Sequence, residues 1–197
     1  EFWYSDGNII LVARDVEFRV YKGLLADHSL VFRDMFSLPQ PHATSSSTAA
    51  LAEVPCPVVH LSDSPEDLRH VLRVYMPRGG LNAFFHKAPE YTYHTISAAV
   101  RLGHKYQMPD LLDNALGFLK AYYPTDCDAW RTIDRGLPGF KVEHTIGVVN
   151  LARLTDDASL LLMALFACCN IENAETVVRG FEREDGSREQ LALDDVL

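Results

Sequence analysis

The stretch FRVYKGLLADHSLVFRDMF, Phe18 to Phe36, places Lys22, His28 and Ser29 within eight positions. A serine hydroxyl attacks a carbonyl once a neighbouring base takes its proton, and histidine is the commonest such base. One expectation is therefore a small hydrolase with Ser29 as nucleophile and His28 as base, joined in one pocket. The flanking residues argue against it. A nucleophile elbow carries G-x-S-x-G after a strand, whereas Ser29 stands between His28 and Leu30. Lys22 and His28 are six apart, on different faces of a helix that turns every ~3.6 residues. The competing expectation is structural. His28 closes one short helix, and Ser29 caps the next by accepting a free backbone N–H.

Other reactive sets are no better placed. His86, His94 and His104, and Cys127 between Asp126 and Asp128, match no zinc spacing, so no metal or other cofactor is expected. Arg78-Gly79-Gly80 holds the one glycine pair. It follows a helix rather than a strand, which makes it a helix stop and not a phosphate cradle. Asp156-Asp157 and Asp194-Asp195 fall at helix ends or in the acidic tail, where solvated caps outnumber acid–base pairs. A non-enzymatic binding module is the expectation that remains.

The elements that must position these residues can be read from periodicity. Ile9 to Ala13 is a short apolar strand, and Arg14-Asp15 connects it to Val16, Phe18 and Val20, which alternate with polar residues. That is the period-2 pattern of a half-buried strand, so the pair should form a hairpin, although Arg-Asp lacks the favoured glycine. Leu24, Leu25, His28, Val31, Phe32, Met35 and Phe36 then fall at helical spacing. Pro39 to Pro57 is rich in Pro, Ser and Thr and reads as an inserted loop. Val58 to Leu61 is a strand. Ser64-Pro65-Glu66-Asp67 is a helix start, with a cap, a proline at the first position and acids in the first turn. A second loop is expected over 79–92.

Beyond it the pattern is helical. Ile96, Ala99, Val100 and Gly103 form one face; Leu111, Leu112, Ala115, Leu116 and Leu119 form the next. Trp130 and Ile133 belong to a short helix. Helices are expected over Ile146–Leu154 and Ala158–Ile171, the second apolar all round and so central to its layer. Ser187 with Gln190 reads as a capping box opening a final helix. The order of hairpin, helices, strand and then helices predicts an α+β fold.

Bulk properties set limits. The chain has 197 residues, 48% of them apolar, and a net charge of −9. An acidic chain is a poor partner for nucleic acid or an anionic membrane. Residues 172–197 hold eight acids against three arginines and read as a solvated face. The longest apolar run, Leu160 to Cys169, is ten residues, about half of what spans a bilayer. Cys56, Cys127, Cys168 and Cys169 form no CxxC pair. A reducing, intracellular compartment is expected, cytoplasmic or nuclear. The chain lacks an initiator methionine and reads as a piece of a longer protein.

Three blocks in this order, SDGNIILVARDVEFRVYKGLLADHSLVFRDMF, VVHLSDSPEDLRHVLRVYM and ISAAVRLGHKYQMPDLLDNALGFL, resemble a BTB/POZ domain. FWYSDGN and DMFSLPQP resemble the variety of that family abundant in mushroom-type fungi. The resemblance runs from about Ser5 to Leu119. It implies a BTB/POZ fold, a small mixed sheet flanked by helices, over residues 1–124, with inserted loops near 37–57 and 77–92. Residues 125–197 are expected to form an all-helical extension.

The resemblance also implies protein–protein interaction, homodimerisation, and service as a substrate adaptor for a cullin-based ubiquitin ligase. Asp6 and Lys22 match a charged pair near the family's dimer interface, with Tyr21 where the family usually has histidine. Leu24, Leu25 and Phe32 are expected to add an exposed apolar patch to that interface. Leu51-Ala52-Glu53 matches the hydrophobic-x-Glu motif that engages a cullin scaffold, and Tyr75 matches a family aromatic. An interaction fragment of a transcription regulator is a further expectation, with its DNA-binding region elsewhere.

Overall fold

The computed structural model describes residues 1–38, 56–76, 91–132 and 139–196. The first hairpin forms where alternation predicts it. Strand β1 (Ile9–Ala13) pairs antiparallel with β2 (Val16–Val20), with Leu11 opposite Phe18. Arg14 closes the turn at a left-handed φ of 53°, the backbone a glycine would have supplied. Strand β3 (Val58–Leu61) lies parallel to β1 on its other side, giving the order β2-β1-β3.

Helix α1 (Lys22–His28) leads directly into α2 (Leu30–Ser37), and Ser29 breaks and caps between them. Helix α3 (Pro65–Tyr75) starts as its sequence dictates. The Ser64 hydroxyl accepts from the Asp67 N–H at 3.1 Å, and Pro65 needs no donor there. Helix α4 (Tyr93–Lys105) is buried along most of its length and packs against α3, α5 (Pro109–Tyr122) and the later helix His144–Leu154. Gly103 permits the α5 contact. A Cβ there would stand 3.2 Å from the Leu112 backbone.

The second half comprises α6 (Cys127–Thr132), α7 (His144–Leu154), α8 (Ala158–Cys168) and α9 (Ala174–Arg179), then strands β4 (Phe181–Glu182) and β5 (Arg188–Glu189), and α10 (Leu193–Val196). The chain is α+β, but three expectations for this half are corrected. It is not all-helical. Where a capping box was to open a helix, β4 and β5 form an antiparallel hairpin. The Ser187 N–H and hydroxyl both donate to Asp185, and Gly186 turns the chain at φ 76°. Ser187 is thus spent inside an Asp-Gly turn.

Helix α8 is not central. Leu160, Ala164 and Ala167 face inward, while Leu162 and Phe166 are 65% and 54% exposed. The helix lies at the rim of its layer, covered on one side by α7. The acidic tail is a solvated face only in part: Glu172, Glu175 and Glu182 are exposed, while the side chains of Asp185, Glu189 and Asp195 are almost fully buried in ion pairs. The expected loops near 37–57 and 77–92 lie almost wholly outside the described residues, as does Ile133.

Candidate functional site

Ser29 is a capping residue. Its hydroxyl donates to the Tyr106 carbonyl at 2.5 Å and accepts from the Phe32 N–H at 3.0 Å, with the residue 2% exposed. The oxygen both donates and accepts, and the groove that His28 lines does not include Ser29. His28 points elsewhere: its ring lies 4.5 Å from that of Tyr75. The Ser29/His28 nucleophile is corrected to a helix cap beside a surface imidazole. Among the described residues, no group of three or more His, Cys, Asp or Glu is arranged to hold a metal ion.

The surface expected for self-association is partly different. Leu25 and Phe32 are core residues, 1% and 2% exposed. Phe32 stacks on Tyr106 at 4.4 Å. They are not available to a partner, because the α1–α2 corner turns them into the core. Leu24, one residue away on the other face of α1, is 39% exposed, and Leu30 and Trp3 are exposed as well. Asp6 and Lys22 are both at the surface. Tyr21 donates its hydroxyl to the Asp6 carboxylate at 2.6 Å, and its ring lies 4.9 Å from that of Tyr4. The Lys22 N–H donates to the Asn8 side chain. The N-terminal segment, the end of β2 and the start of α1 therefore meet at Tyr21. Trp3, bridged to Arg19 on the edge of β2, was not singled out in the sequence, where it is an isolated aromatic outside any periodic run.

Leu51 and Glu53 lie outside the described residues. Tyr75 is half-buried in an open groove of about 400 Å³ between α3, α4 and α5. Burial, and secondarily the Asp110 carboxylate, push its hydroxyl pKa up. Tyr91 and Phe118 meet edge to face at 5.8 Å on the same groove.

A third polar centre has no counterpart in the sequence reading. Glu189, 4% exposed, accepts from the Tyr93 hydroxyl at 3.1 Å, from the Asn150 amide at 3.1 Å and from Arg101. Arg183 grips both oxygens of Asp67 at 2.8 and 2.7 Å. Burial alone would push the Arg183 pKa down; Asp67 and Glu189 outweigh it, and the guanidinium stays charged. Around this pair His70 meets Glu184 at 2.8 Å, Arg14 meets Asp185 at 3.0 Å, and Arg153 meets Asp195. Glu184, Asp185, Glu189 and Asp195, with Arg183, thus strap the tail onto the first turn, α3, α4 and α7.

The strap rests on an aromatic floor. The Tyr93 and His144 rings stack at 4.4 Å, and Phe181 lies 5.1 Å from His144. Burial and then the neighbouring His94 push the His144 pKa down to about 4. Gly147 makes room for Tyr93, since a Cβ there would fall 1.7 Å from its hydroxyl. Tyr93 was legible in principle, for it extends the Ile96, Val100 and Gly103 face by three residues.

The arrangement can bind, clamp and orient. Among the described residues, no helix is long and apolar enough to cross a membrane. In comparison with known proteins, no family model matches this chain and no curated protein matches it.

Proposed function

We propose that the chain is a protein–protein interaction module of the BTB/POZ type. It pairs with a second copy through the surface around Tyr21 and acts as a substrate adaptor for a cullin-based ligase. The observation that carries the reading is the exposure of Trp3, Leu24 and Leu30 on segments that meet beside the surface charges of Asp6 and Lys22. Apolar side chains rimmed by charge are the usual composition of a pairing surface, and twofold pairing is the commonest assembly. The order of the described elements, from the first hairpin through α5, agrees with the arrangement that the sequence resemblance implies. The reading puts the protein inside the cell, in cytoplasm or nucleus, where the exposed Cys169 thiol stays reduced.

Light scattering at micromolar concentration tests the pairing. A dimer that Leu24→Asp converts to monomer is expected; a strict monomer before any substitution overturns self-association. A cullin N-terminal domain is expected to be captured by the chain and lost on combined Leu51→Ala and Glu53→Ala substitution. Unchanged capture by that double variant discards the motif.

A further inference from the structure

The groove beside Tyr75 has a composition that selects its ligand. Three aromatic rings, Tyr75, Tyr91 and Phe118, stand around a trough of about 400 Å³ that is otherwise mostly aliphatic, with Thr95 and Asn114 as neutral polar groups on its lining. The ring of His28 lies against Tyr75 at 4.5 Å. One carboxylate, Asp110, reaches the lining, and its field is felt at the Tyr75 hydroxyl. Among the described residues, the lining carries no lysine or arginine. Asp110 has no ion-pair partner among the described residues either, in contrast to the strap acids.

Aromatic faces are negative and attract cations. An apolar floor rejects a group that needs many hydrogen bonds, because each unpaired donor is desolvated at a loss. A primary ammonium carries three such donors; Asp110 is the one charged acceptor on the lining, and the neutral polar groups beside it, Thr95 and Asn114 among them, repay less of an ammonium's hydration than water does. A quaternary ammonium carries none. Its charge is spread over methyl groups that pack on rings, and it needs a single counter-charge nearby.

We propose that this groove binds a quaternary ammonium group, namely the Nζ-trimethylated lysine side chain of a protein partner. The trough is open to solvent rather than enclosed, which suits a side chain continuing into a polypeptide. The chain's net charge of −9 steers cationic segments toward it. The ligand site does not depend on self-association, and it names the chemistry by which the interaction module of the preceding section selects a partner.

The test is calorimetric titration with four probes. These are a short peptide carrying one trimethyllysine, the same peptide with unmodified lysine, choline, and 3,3-dimethylbutan-1-ol, the neutral isostere of choline. The trimethyllysine peptide is expected to bind at least tenfold tighter than the lysine peptide, and choline at least tenfold tighter than the alcohol. Phe118→Ala is expected to weaken the trimethyllysine peptide at least tenfold. Asp110→Asn, an exposed position that leaves the fold intact, is expected to weaken it several-fold.

Equal binding of choline and the alcohol would reduce the groove to a greasy patch and overturn the proposal. Choline binding as tightly as the peptide would make the source a small molecule and overturn the commitment to a protein partner. Methyl-selective binding that survives both substitutions would place the site elsewhere. Loss of dimer with retained peptide binding would overturn the self-association reading alone.

Discussion

The hairpin of Ile9–Val20 and the hairpin of Phe181–Glu189 are the same motif held by opposite means. In the first, Ile9, Leu11, Ala13, Phe18 and Val20 are all buried, and β3 adds a third strand. In the second, each strand has two residues, and Phe181 alone supplies apolar burial. Its attachment comes from Arg183, Glu184, Asp185 and Glu189, paired to Asp67, His70, Arg14 and Arg101. Apolar burial is non-directional and indifferent to pH. Buried ion pairs are directional, and breaking one leaves an uncompensated charge. The first hairpin should behave as core and the second as a clasp that can be opened selectively.

Glu189→Ala attacks this contrast hardest. It leaves Arg101 without its carboxylate and the Tyr93 hydroxyl and Asn150 amide without their acceptor, while Arg183 keeps Asp67. A loss of about 3–5 kcal/mol is expected, in urea unfolding followed by circular dichroism. Phe18→Ala should cost a similar ~3–5 kcal/mol by cavity formation. The two differ in where protection is lost. With Glu189→Ala, hydrogen exchange should rise at Phe181–Gln190 while β1–β2 amides keep their protection. Equal rises in both hairpins would show one cooperative unit and end the distinction.

The contrast also explains which parts could be read in advance. The first hairpin, the Ser29 and Ser64 caps and the α5 face announce themselves within a few residues, because period and capping are local. The strap joins Arg14 to Asp185 and Asp67 to Arg183, more than a hundred residues apart. No spacing rule reaches that far, so its acids read as solvent-facing charge. The Asp185-Gly186 turn was a local signal, outweighed by the Ser187/Gln190 pattern that mimics a capping box. The apolar run of α8 could not say which of its sides would be covered. Of the groove, Tyr75 was legible, while Tyr91 comes to it from the segment before α4 and Asp110 and Phe118 from α5.

Gly180→Ala tests the second hairpin through its backbone. Gly180 sits at φ 66°, ψ −155°, a region essentially restricted to glycine. A Cβ would fall 1.7 Å from the Glu189 carbonyl oxygen. A loss of about 2–3 kcal/mol is expected from strain and displacement. Tryptic cleavage after Arg183 or Arg188 should accelerate. An unchanged midpoint and unchanged cleavage would mean that the hairpin is not held against α4.

Acid should loosen the clasp before the core. His144, beside Phe181, has its pKa pushed down to about 4 by burial and by His94, against about 6.5 when unfolded. The unfolded chain therefore binds this proton first. Stability from the neutral imidazole is complete above about pH 6.5 and is lost as pH falls toward about 4. Asp185 adds a lower window. Burial raises its pKa, but the Ser187 hydrogen bonds and the Arg183 and Arg14 charges bring it below the usual 3.8. Its contribution is present above that value and disappears below it. His144→Asn keeps an acceptor for the Lys141 N–H and should remove most of the slope in Tm between pH 6.5 and 4. A slope of the same size in the variant would assign it to other groups.

The smallest effect is expected where the two hairpins touch. Arg14 reaches from the first turn to Asp185 in the second, but its side chain is half in water. Exposed pairs of this kind contribute about 0.2–1 kcal/mol. Arg14→Ala should therefore cost no more than ~0.5 kcal/mol, and 1 M salt should erase most of that difference. Arg14→Gly separates charge from backbone. It loses the same ion pair but relieves the left-handed φ of 53°, so it should be more stable than Arg14→Ala by ~0.5–1 kcal/mol. A glycine variant no more stable than the alanine variant would mean that the left-handed backbone at this turn carries no strain for glycine to relieve.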